Sequence, residues 1–489
     1  MSRPQFNRRQ FIQQASAAFA ATALPGFSLS SHASVGSDYK ALVCVFLNGG
    51  NDAWNTVAPI STAEYAAYAS ARGHGETWGL ALDQSQFLSI DKGSKLQAEG
   101  NYGMHPSLTA CHSLYQQGDL AIVSGVGPLV KPTTTEQYRA AVGIIEDPSN
   151  SNHPVPSSLF GHNTQSNQWH TLNGTQNRPY GWAGRALDAL HPQLTNQGLP
   201  AGISTQGRPN LLTGEFSIPY AIDPNGIQRF EGLTEGTFHT ARAAAYRRMM
   251  AATLESDTAS LYQKGFAQVQ ASALENALKF QQALDRAPSF VSLPDGNGDG
   301  LATQLRTVAK IISAHEDFSV NRQIFFVEDT GFDTHGEQMS TQPKLLAELD
   351  HALGGFADAL KSMGMWDKVV TFTQSDFGRT LTSNGDGSDH GWSGLQLVLG
   401  GAVQGGQMVG SYPTLELGTS NEIGNGNFIP DISADQYAAT LANWFGVPDS
   451  ALDGVCPHLA NFSERHLGFL PESDSAVSRV IPRWRNGFR

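Results

Sequence analysis

The chain has 489 residues, of which 40% are hydrophobic and 15% charged, and its formal net charge is −13. This composition is typical of a globular protein and excludes wholesale disorder. The negative charge repels phosphate backbones, and the sequence contains no basic stripe with interleaved aromatic residues. We therefore expect no nucleic-acid partner.

The first 33 residues are predicted to be a twin-arginine signal peptide. Arg8 and Arg9 precede an apolar pair, Ala15–Leu24 is a short apolar stretch, and Ser31–Ala33 offers small residues for cleavage. This stretch is too short to span a bilayer, and no later stretch is long and apolar enough. We predict a periplasmic or secreted protein, exported by the twin-arginine route and without a membrane span.

Apolar runs of strand length alternate with helical patterns through residues 34–489, which we predict to form a single domain. The predicted strands are 41–47, 120–123, 323–327, 369–373 and 395–399. Helices are predicted to begin near Ser61, Thr133, Leu301, Lys344 and Ser433. This alternation predicts an α/β fold with a doubly wound, mostly parallel sheet and helices on both faces.

Two long segments depart from this alternation. Residues 147–235 are rich in Gly, Pro, Asn, Gln and Ser and are predicted to be rich in loops. Residues 238–287 contain no proline and one glycine, which predicts a helical insertion that ends before Pro288. Asp295–Gly300 matches the first half of a calcium-binding loop. Because Arg306 stands where a bidentate glutamate is needed, we expect a surface loop there.

The three cysteines, Cys44, Cys111 and Cys456, are too few for a disulfide framework. Cys44 lies in the first predicted strand and is expected to be buried. A bridge between Cys111 and Cys456 would be compatible with the sequence, although no sequence feature requires it.

Carboxylates and imidazoles follow three of the predicted strands, at the positions where parallel sheets bind ligands. They are Asp52 after the first strand, Asp333 and His335 after strand 323–327, and Asp376, Asp389 and His390 after strand 369–373. Asp333 and His335 are two positions apart and leave the same face of an extended segment. We therefore expect these side chains to meet at one edge of the sheet.

A cluster of acids is costly to assemble without a cation, so a shared site at this edge implies a divalent metal. Mixed carboxylate and imidazole ligands suit zinc, manganese or iron, and magnesium or calcium if the carboxylates dominate. The alternative is that each acid is a solvated loop residue or a helix cap.

The sequence lacks the motifs that are typical of other classes of enzyme. The sequence has no G-x-x-x-x-G-K-[ST] loop, no G-x-S-x-G elbow, no H-E-x-x-H helix and no C-x-x-C pair. The Gly49-Gly50 pair could cradle a phosphate, but no dinucleotide-type helix pattern follows it. No haem, flavin or copper motif supports an oxidoreductase.

Five segments carry a distinctive combination of residues: Val45–Thr56, Gly181–Arg185, Gly331–His335, Ser375–Thr380 and Asp389–Gly391. Together they resemble the signatures of an exported bacterial family, domain of unknown function 1501. This family is grouped with the alkaline phosphatase and sulfatase superfamily. The resemblance extends through nearly the whole chain after the signal peptide.

The resemblance implies an alkaline phosphatase-like fold with one or two divalent metals at a sheet edge. It also implies a hydroxyl or modified-cysteine nucleophile that acts on phosphate or sulfate esters. Matched position by position, the metal ligands would be Asp52, Asp333, His335, Asp376 and His390. Superfamily members often have a histidine where this chain has Phe377, so one ligand is missing here or is supplied by Asp389.

The resemblance leaves the nucleophile open among Ser157, Ser158 and Thr56. Family members commonly have a histidine near the position of Ser158, and His153 and His162 are close to it in this chain.

Together, these features predict an exported, metal-dependent hydrolase of phosphate or sulfate esters, with a small molecule or a polymer as substrate. Arg379 is the candidate for stabilising developing negative charge, because a guanidinium is a bidentate donor. The alternative is a non-catalytic exported binding or assembly protein that keeps the fold and a structural metal. The missing histidine after Asp376 favours this alternative. The sequence does not indicate the oligomeric state.

Overall fold

A computed structural model describes residues 39–90, 102–143, 152–174, 179–195, 200–225, 236–293 and 300–473. The predicted signal peptide lies outside these ranges, as do residues 295–299 of the predicted surface loop.

The elements are numbered along the chain. The strands are β1 Lys40–Asn48, β2 Val57–Pro59, β3 Leu88–Ile90, β4 Tyr102–Met104, β5 Leu120–Gly127, β6 Gly202–Ser204, β7 Tyr220–Ala221, β8 Arg322–Thr330, β9 Val369–Ser375, β10 Gly378–Ser383, β11 Ser388–Gly391, β12 Gly394–Leu399, β13 Gln407–Val409 and β14 Ile432–Ser433. The α-helices are α1 Ala53–Thr56, α2 Thr62–Ala71, α3 Thr109–Gln117, α4 Thr135–Ala141, α5 His162–Thr171, α6 Trp182–Leu190, α7 Gly236–Glu255, α8 Leu261–Arg286, α9 Leu301–Ser313, α10 Gln338–Ser362, α11 Ala434–Phe445 and α12 Leu452–Val455.

The central sheet has the strand order β13-β5-β12-β9-β1-β8-β6-β7, and β14 pairs with β5. Neighbouring strands run parallel except at β12, which is antiparallel to both β5 and β9. β1 lies between β8 and β9, so the segments that follow these three strands leave the sheet side by side. The prediction of an α/β fold with a mostly parallel sheet is confirmed.

The side chains of β1 show why helices cover both faces of the sheet. Val43 and Val45 belong to one buried apolar cluster, whereas Leu42 and Cys44 belong to another on the opposite face, as the two-residue period of a strand requires. Helices α3, α9 and α10 contribute to the first cluster, and α6, α11 and α12 contribute to the second. With apolar side chains on both faces, the strand is stable only between two helical layers.

The helix boundaries show which capping signals the backbone uses. Ser433 caps α11 in a capping box, as predicted. α4 is capped by Thr134, because the hydroxyl of the predicted cap, Thr133, donates to a backbone carbonyl. α10 begins at Gln338, before the predicted start at Lys344. The buried side chain of Gln338 is hydrogen-bonded through both of its polar atoms, which fixes this first turn.

The two segments that depart from the alternation contain the following elements. Residues 238–287 lie almost entirely in α7 and α8, which pack against each other. The described parts of 147–235 contain α5, α6 and the short strands β6 and β7.

The cysteines are all buried and free, so Cys111 and Cys456 form no bridge. Within the described ranges, no helix combines the length and the apolar character needed to cross a membrane.

Candidate metal centre

The loop after β1 comes close to two other segments because it contains two glycines. Gly49 and Gly50 have left-handed backbones, with φ of +121° and +92°. A Cβ atom on Gly49 would lie 2.3 Å from the backbone nitrogen of Asp333, and one on Gly50 would lie 2.4 Å from the Phe377 ring. Since no side chain fits at either position, this close approach requires glycine.

Asp333 follows β8 and is held by the hairpin of β10 and β11. Arg379 and His390 lie opposite each other in this hairpin, so their side chains share one face. Arg379 Nη2 donates to Asp333 Oδ1 at 2.6 Å, and His390 Nε2 lies 3.3 Å from the same oxygen. The hairpin thus brings a guanidinium and an imidazole to one carboxylate.

Two further histidines approach Asp333 from other directions. His162 is the first residue of α5, and its Nε2 lies 3.3 Å from Asp333 Oδ2. His335 Nε2 lies 3.2 Å from Asp333 Oδ1 and 2.8 Å from His390 Nε2. Three imidazoles therefore direct the same ring nitrogen, Nε2, toward one carboxylate.

The second nitrogen of each ring, Nδ1, faces an oxygen on the outside of the cluster. These contacts are His390 to the Phe160 carbonyl oxygen at 2.7 Å, His335 to Asp389 Oδ1 at 3.2 Å, and His162 to Asp376 Oδ1 at 3.9 Å. In His390 and His335 the oxygen lies within hydrogen-bond distance of Nδ1 and favours the tautomer that carries its proton there and leaves the lone pair on Nε2. The separation of 3.9 Å at His162 is too long for a hydrogen bond.

The donor set fits a divalent metal ion. Ligand atoms about 2.0–2.2 Å from a tetrahedral zinc lie about 3.3–3.6 Å apart, and the nitrogen–oxygen separations of 3.2 and 3.3 Å are close to this spacing. The 2.8 Å between His335 Nε2 and His390 Nε2 is shorter than this spacing and is a hydrogen-bond distance. His162, Asp333 and His390 each offer a ligand atom, and these atoms lie within 4.8 Å of one another, so these three residues can share one ion.

The protonation of the cluster suits such a site. Burial lowers the pKa of His390, which favours the neutral imidazole that a metal requires. Burial alone would raise the pKa of Asp333, but the hydrogen bond and the charge of Arg379 outweigh it, and the pKa is lowered. The carboxylate is therefore ionised at neutral pH.

Removing the Asp389 carboxylate in an Asp389→Ala variant is expected to weaken metal binding about 10- to 100-fold, because it frees the His335 ring that this carboxylate orients. Isothermal titration of the metal-free protein with zinc measures the change. Asp386→Ala is the matched control, since Asp386 lies in the same turn and accepts from the backbone of Glu337 instead. An equal loss in both variants would contradict an orienting role for Asp389.

Asp52, one of the predicted ligands, lies at the same edge of the sheet, where its described contacts with other side chains are to Arg72 and Gln338 and not to the imidazoles. Arg72 donates to its two oxygens at 3.0 and 2.6 Å, and Gln338 donates to Oδ2 at 2.6 Å. The side chains of Asp52 and Arg72 are both fully buried. Because both oxygens are occupied, Asp52 anchors the loop after β1 instead of facing the cluster.

Asp376 lies behind His162 and does not face the space shared by the three rings. Its Oδ2 accepts from the Gly49 N–H at 2.5 Å, and its Oδ1 accepts from the hydroxyl of Ser166. The Ser166 hydroxyl also lies 2.6 Å from the His162 carbonyl oxygen. Asp376 and Asp389 are thus brought to the site, but as partners of the imidazoles.

Arg379 lies beneath the cluster and is completely buried. Besides Asp333, it donates to four backbone carbonyl oxygens, those of Gly49, Gly50, Phe332 and Ser388. Because these contacts use its donors, the guanidinium positions Asp333 and the surrounding loops. The sequence-based prediction that Arg379 stabilises developing negative charge on a substrate stays a prediction.

The three predicted nucleophiles have different surroundings. Thr56 is buried, and its hydroxyl donates to the Asp52 carbonyl oxygen at 2.7 Å. Ser157 and Ser158 are exposed in the loop before α5. Ser158 and Phe160 have left-handed φ of 49° and 68°, which costs non-glycine residues about 1–3 kcal/mol each. The hydrogen bond from His390 to the Phe160 carbonyl fixes this loop against the cluster.

The sequence pattern did not predict that His162 belongs to the cluster. It follows no predicted strand, and its helix begins after Gly161 without a side-chain cap. The family's histidine near the position of Ser158 was the one signal that pointed to it.

Comparisons with known proteins place the chain in a family. The family model described as "Protein of unknown function (DUF1501)" matches residues 39–437. No curated protein matches the chain. Among solved structures, the chain is similar to the phosphonate monoester hydrolase SpPMH from Silicibacter pomeroyi, with a TM-score of 0.32 and 10% identity over 91% of this chain and 78% of that chain.

Two further structures are similar to the chain. The PsFucS1 sulfatase from Pseudoalteromonas sp. matches with a TM-score of 0.32 and 9% identity, over 85% of this chain and 69% of that chain. The lipoteichoic acid synthase LtaP from Listeria monocytogenes matches with a TM-score of 0.30 and 9% identity, over 85% of this chain and 74% of that chain. Since the family model spans β1 to α11 and every residue of the cluster, the chain belongs to the DUF1501 family.

Proposed function

We propose that the protein is a metal-dependent hydrolase of phosphate or sulfate esters. The observation that carries the proposal is the convergence of His162, His335 and His390 on Asp333, each ring with Nε2 inward and an oxygen beside Nδ1. Oriented nitrogen donors with one carboxylate are typical of a divalent metal site. The motif resemblance to the alkaline phosphatase superfamily supports an ester substrate, either a small molecule or a polymer.

Zinc, manganese or iron is the ion that this donor set favours, because magnesium and calcium prefer oxygen ligands. His162, His335, His390 and Asp333 would hold it. When bound, such an ion polarises an ester oxygen and lowers the pKa of a water or hydroxyl beside it.

The residues of the chain supply orientation and the nucleophile. Arg379 fixes Asp333 from below, and the loop that carries Ser157 and Ser158 is fixed from the side by His390. These exposed hydroxyls are the best-placed candidates to attack phosphorus or sulfur, with the alcohol of the ester as the leaving group. Thr56 is the weaker candidate because it is buried and its hydroxyl is already hydrogen-bonded.

A His390→Ala variant tests the proposal, because it removes one inward nitrogen without touching Arg379. Wild-type protein is expected to retain a transition metal on purification and to hydrolyse at least one of p-nitrophenyl phosphate, bis-p-nitrophenyl phosphate and p-nitrophenyl sulfate. His390→Ala is expected to lose at least about 100-fold in metal affinity, more than the loss of an outer partner causes. Elemental analysis and the ester assay measure the two effects.

His112→Ala serves as the control for His390→Ala, since His112 is half-buried away from the cluster and its ring contacts the backbone carbonyl oxygen of Ser89. It should keep both the metal and the activity of the wild type. Unchanged metal content in His390→Ala would refute the proposed centre.

The second candidate is an exported binding or assembly protein with a structural metal. Two observations favour it: Phe377 in place of a histidine, and the absence of a serine hydroxyl hydrogen-bonded to the imidazoles among the described contacts. The ester assay separates the two functions. A binding protein keeps its metal and its metal-dependent stability but hydrolyses none of the esters with any added divalent ion.

We also propose export by the twin-arginine route and a single domain over residues 34–489. Arg8 and Arg9, the short apolar stretch Ala15–Leu24 and the small residues Ser31–Ala33 support the first. The central sheet, which takes strands from residue 40 to residue 433, supports the second.

A further inference from the structure

Phe377 fills the space beside the metal centre. Its ring is 2% exposed and stacks on His390, with ring centroids 4.1 Å apart and planes 29° apart. It also contacts His162, with centroids 4.9 Å apart. On its other side it lies so close to Gly50 that a Cβ there would sit 2.4 Å from the ring. An apolar ring therefore occupies the position next to two of the imidazoles and excludes water and ions from it.

The other carboxylates at this edge of the sheet have few oxygen atoms available to bind a second ion. Both oxygens of Asp52 are occupied by Arg72 and Gln338. Both oxygens of Asp376 accept hydrogen bonds, one from a backbone N–H and one from a hydroxyl. Asp389 Oδ1 is shared between His335 and the amide of Asn384. Asp52 and Asp376 thus have both oxygens occupied, whereas in Asp389 the described contacts involve Oδ1 alone.

The donor atoms that lie close enough together to share an ion are those of His162, His390 and Asp333. Three protein ligands are the number that one catalytic zinc uses, with its fourth position left for water or substrate. Two-metal sites hold their ions about 3.5–4 Å apart, and each ion needs ligands of its own. The cluster therefore has enough ligand atoms for one ion, and an aromatic ring lies beside them.

We infer that the centre holds a single metal ion per chain, and that Phe377 is the residue that limits it to one. This inference rests on the proposed function, which supplies the first ion. Phe377 blocks the adjacent position sterically and provides no donor atom there. By stacking on His390 and packing against His162, it also holds these two rings at the spacing that one ion needs.

The test is the metal stoichiometry of the full chain, measured by elemental analysis after equilibration with zinc and removal of excess ion. The wild type is expected to bind one zinc per chain. Phe377→His introduces a nitrogen donor beside His162 and His390, and its stoichiometry is expected to rise toward two. Phe377→Leu, the matched apolar control, should stay at one.

A second readout does not depend on folding of the variants. With manganese bound, electron paramagnetic resonance of the wild type is expected to show the six-line spectrum of an isolated ion. An exchange-coupled spectrum, or two zinc ions per wild-type chain, overturns the inference and leaves the proposed function standing. A wild-type chain that binds no ion overturns both. Two ions in Phe377→Leu would show that the ring does not set the number.

Discussion

Replacing Arg379 by methionine is expected to lower the free energy of unfolding by about 3–5 kcal/mol. The guanidinium is completely buried and joins the loops after β1 and β8 to the β10–β11 hairpin. Its loss leaves buried carbonyl oxygens without donors and leaves Asp333 without its cation. Urea denaturation followed by circular dichroism measures the change, and zinc titration should show weaker binding because Asp333 is no longer fixed.

Two comparisons isolate the cause of this effect. Arg379→Lys keeps the charge but cannot reach several acceptors at once, so it should recover only part of the loss. Arg465→Met removes an arginine from partly exposed ion pairs with Asp449 and Asp453 and should cost no more than about 1 kcal/mol. If Arg379→Met and Arg465→Met have equal effects, Arg379 does not hold the site together.

Asp52→Asn is expected to destabilise the protein by about 3–5 kcal/mol while leaving the metal content of the folded chain unchanged. The change removes the charge that pairs with Arg72, and both side chains are fully buried. Breaking such a pair from one side leaves an uncompensated charge in the interior. Stability is measured by denaturation, and metal content is measured on the folded fraction after gel filtration.

This prediction separates two roles for Asp52. As an anchor it affects stability alone, and the double change Asp52→Leu with Arg72→Met should recover much of the loss, because no unpaired charge remains. As a metal ligand, which the sequence suggested, it would affect metal content first. A folded Asp52→Asn protein without metal would show that the structural role assigned to Asp52 is wrong.

The location of the site could be predicted from the sequence because strand ends are visible in it. The apolar runs 323–327 and 369–373 are too short and too continuous for an amphipathic helix, and they end just before Asp333 and Asp376. Parallel strands bring their carboxyl ends to one edge. The position of these acids therefore follows from local pattern and general topology.

The role of each side chain could not be predicted in the same way. Asp52 looks like any acid after a strand, and nothing local marks Arg72 as buried, since arginines are mostly exposed. His162 reaches the site from a helix that follows no predicted strand. The pairing of Arg379 with His390 depends on the register of a hairpin whose glycine-rich turn was recognised but whose strands were not.

The central position of β1 also has a consequence for biosynthesis. β1 is made first, but its two neighbours in the sheet, β8 and β9, come from the last third of the chain. On the ribosome, the nascent strand therefore has no partner until most of the protein has been translated, and such distant contacts form slowly. The candidate metal centre includes His390, which follows both of these strands in the chain. The proposed centre would therefore be complete only after most of the chain has been translated.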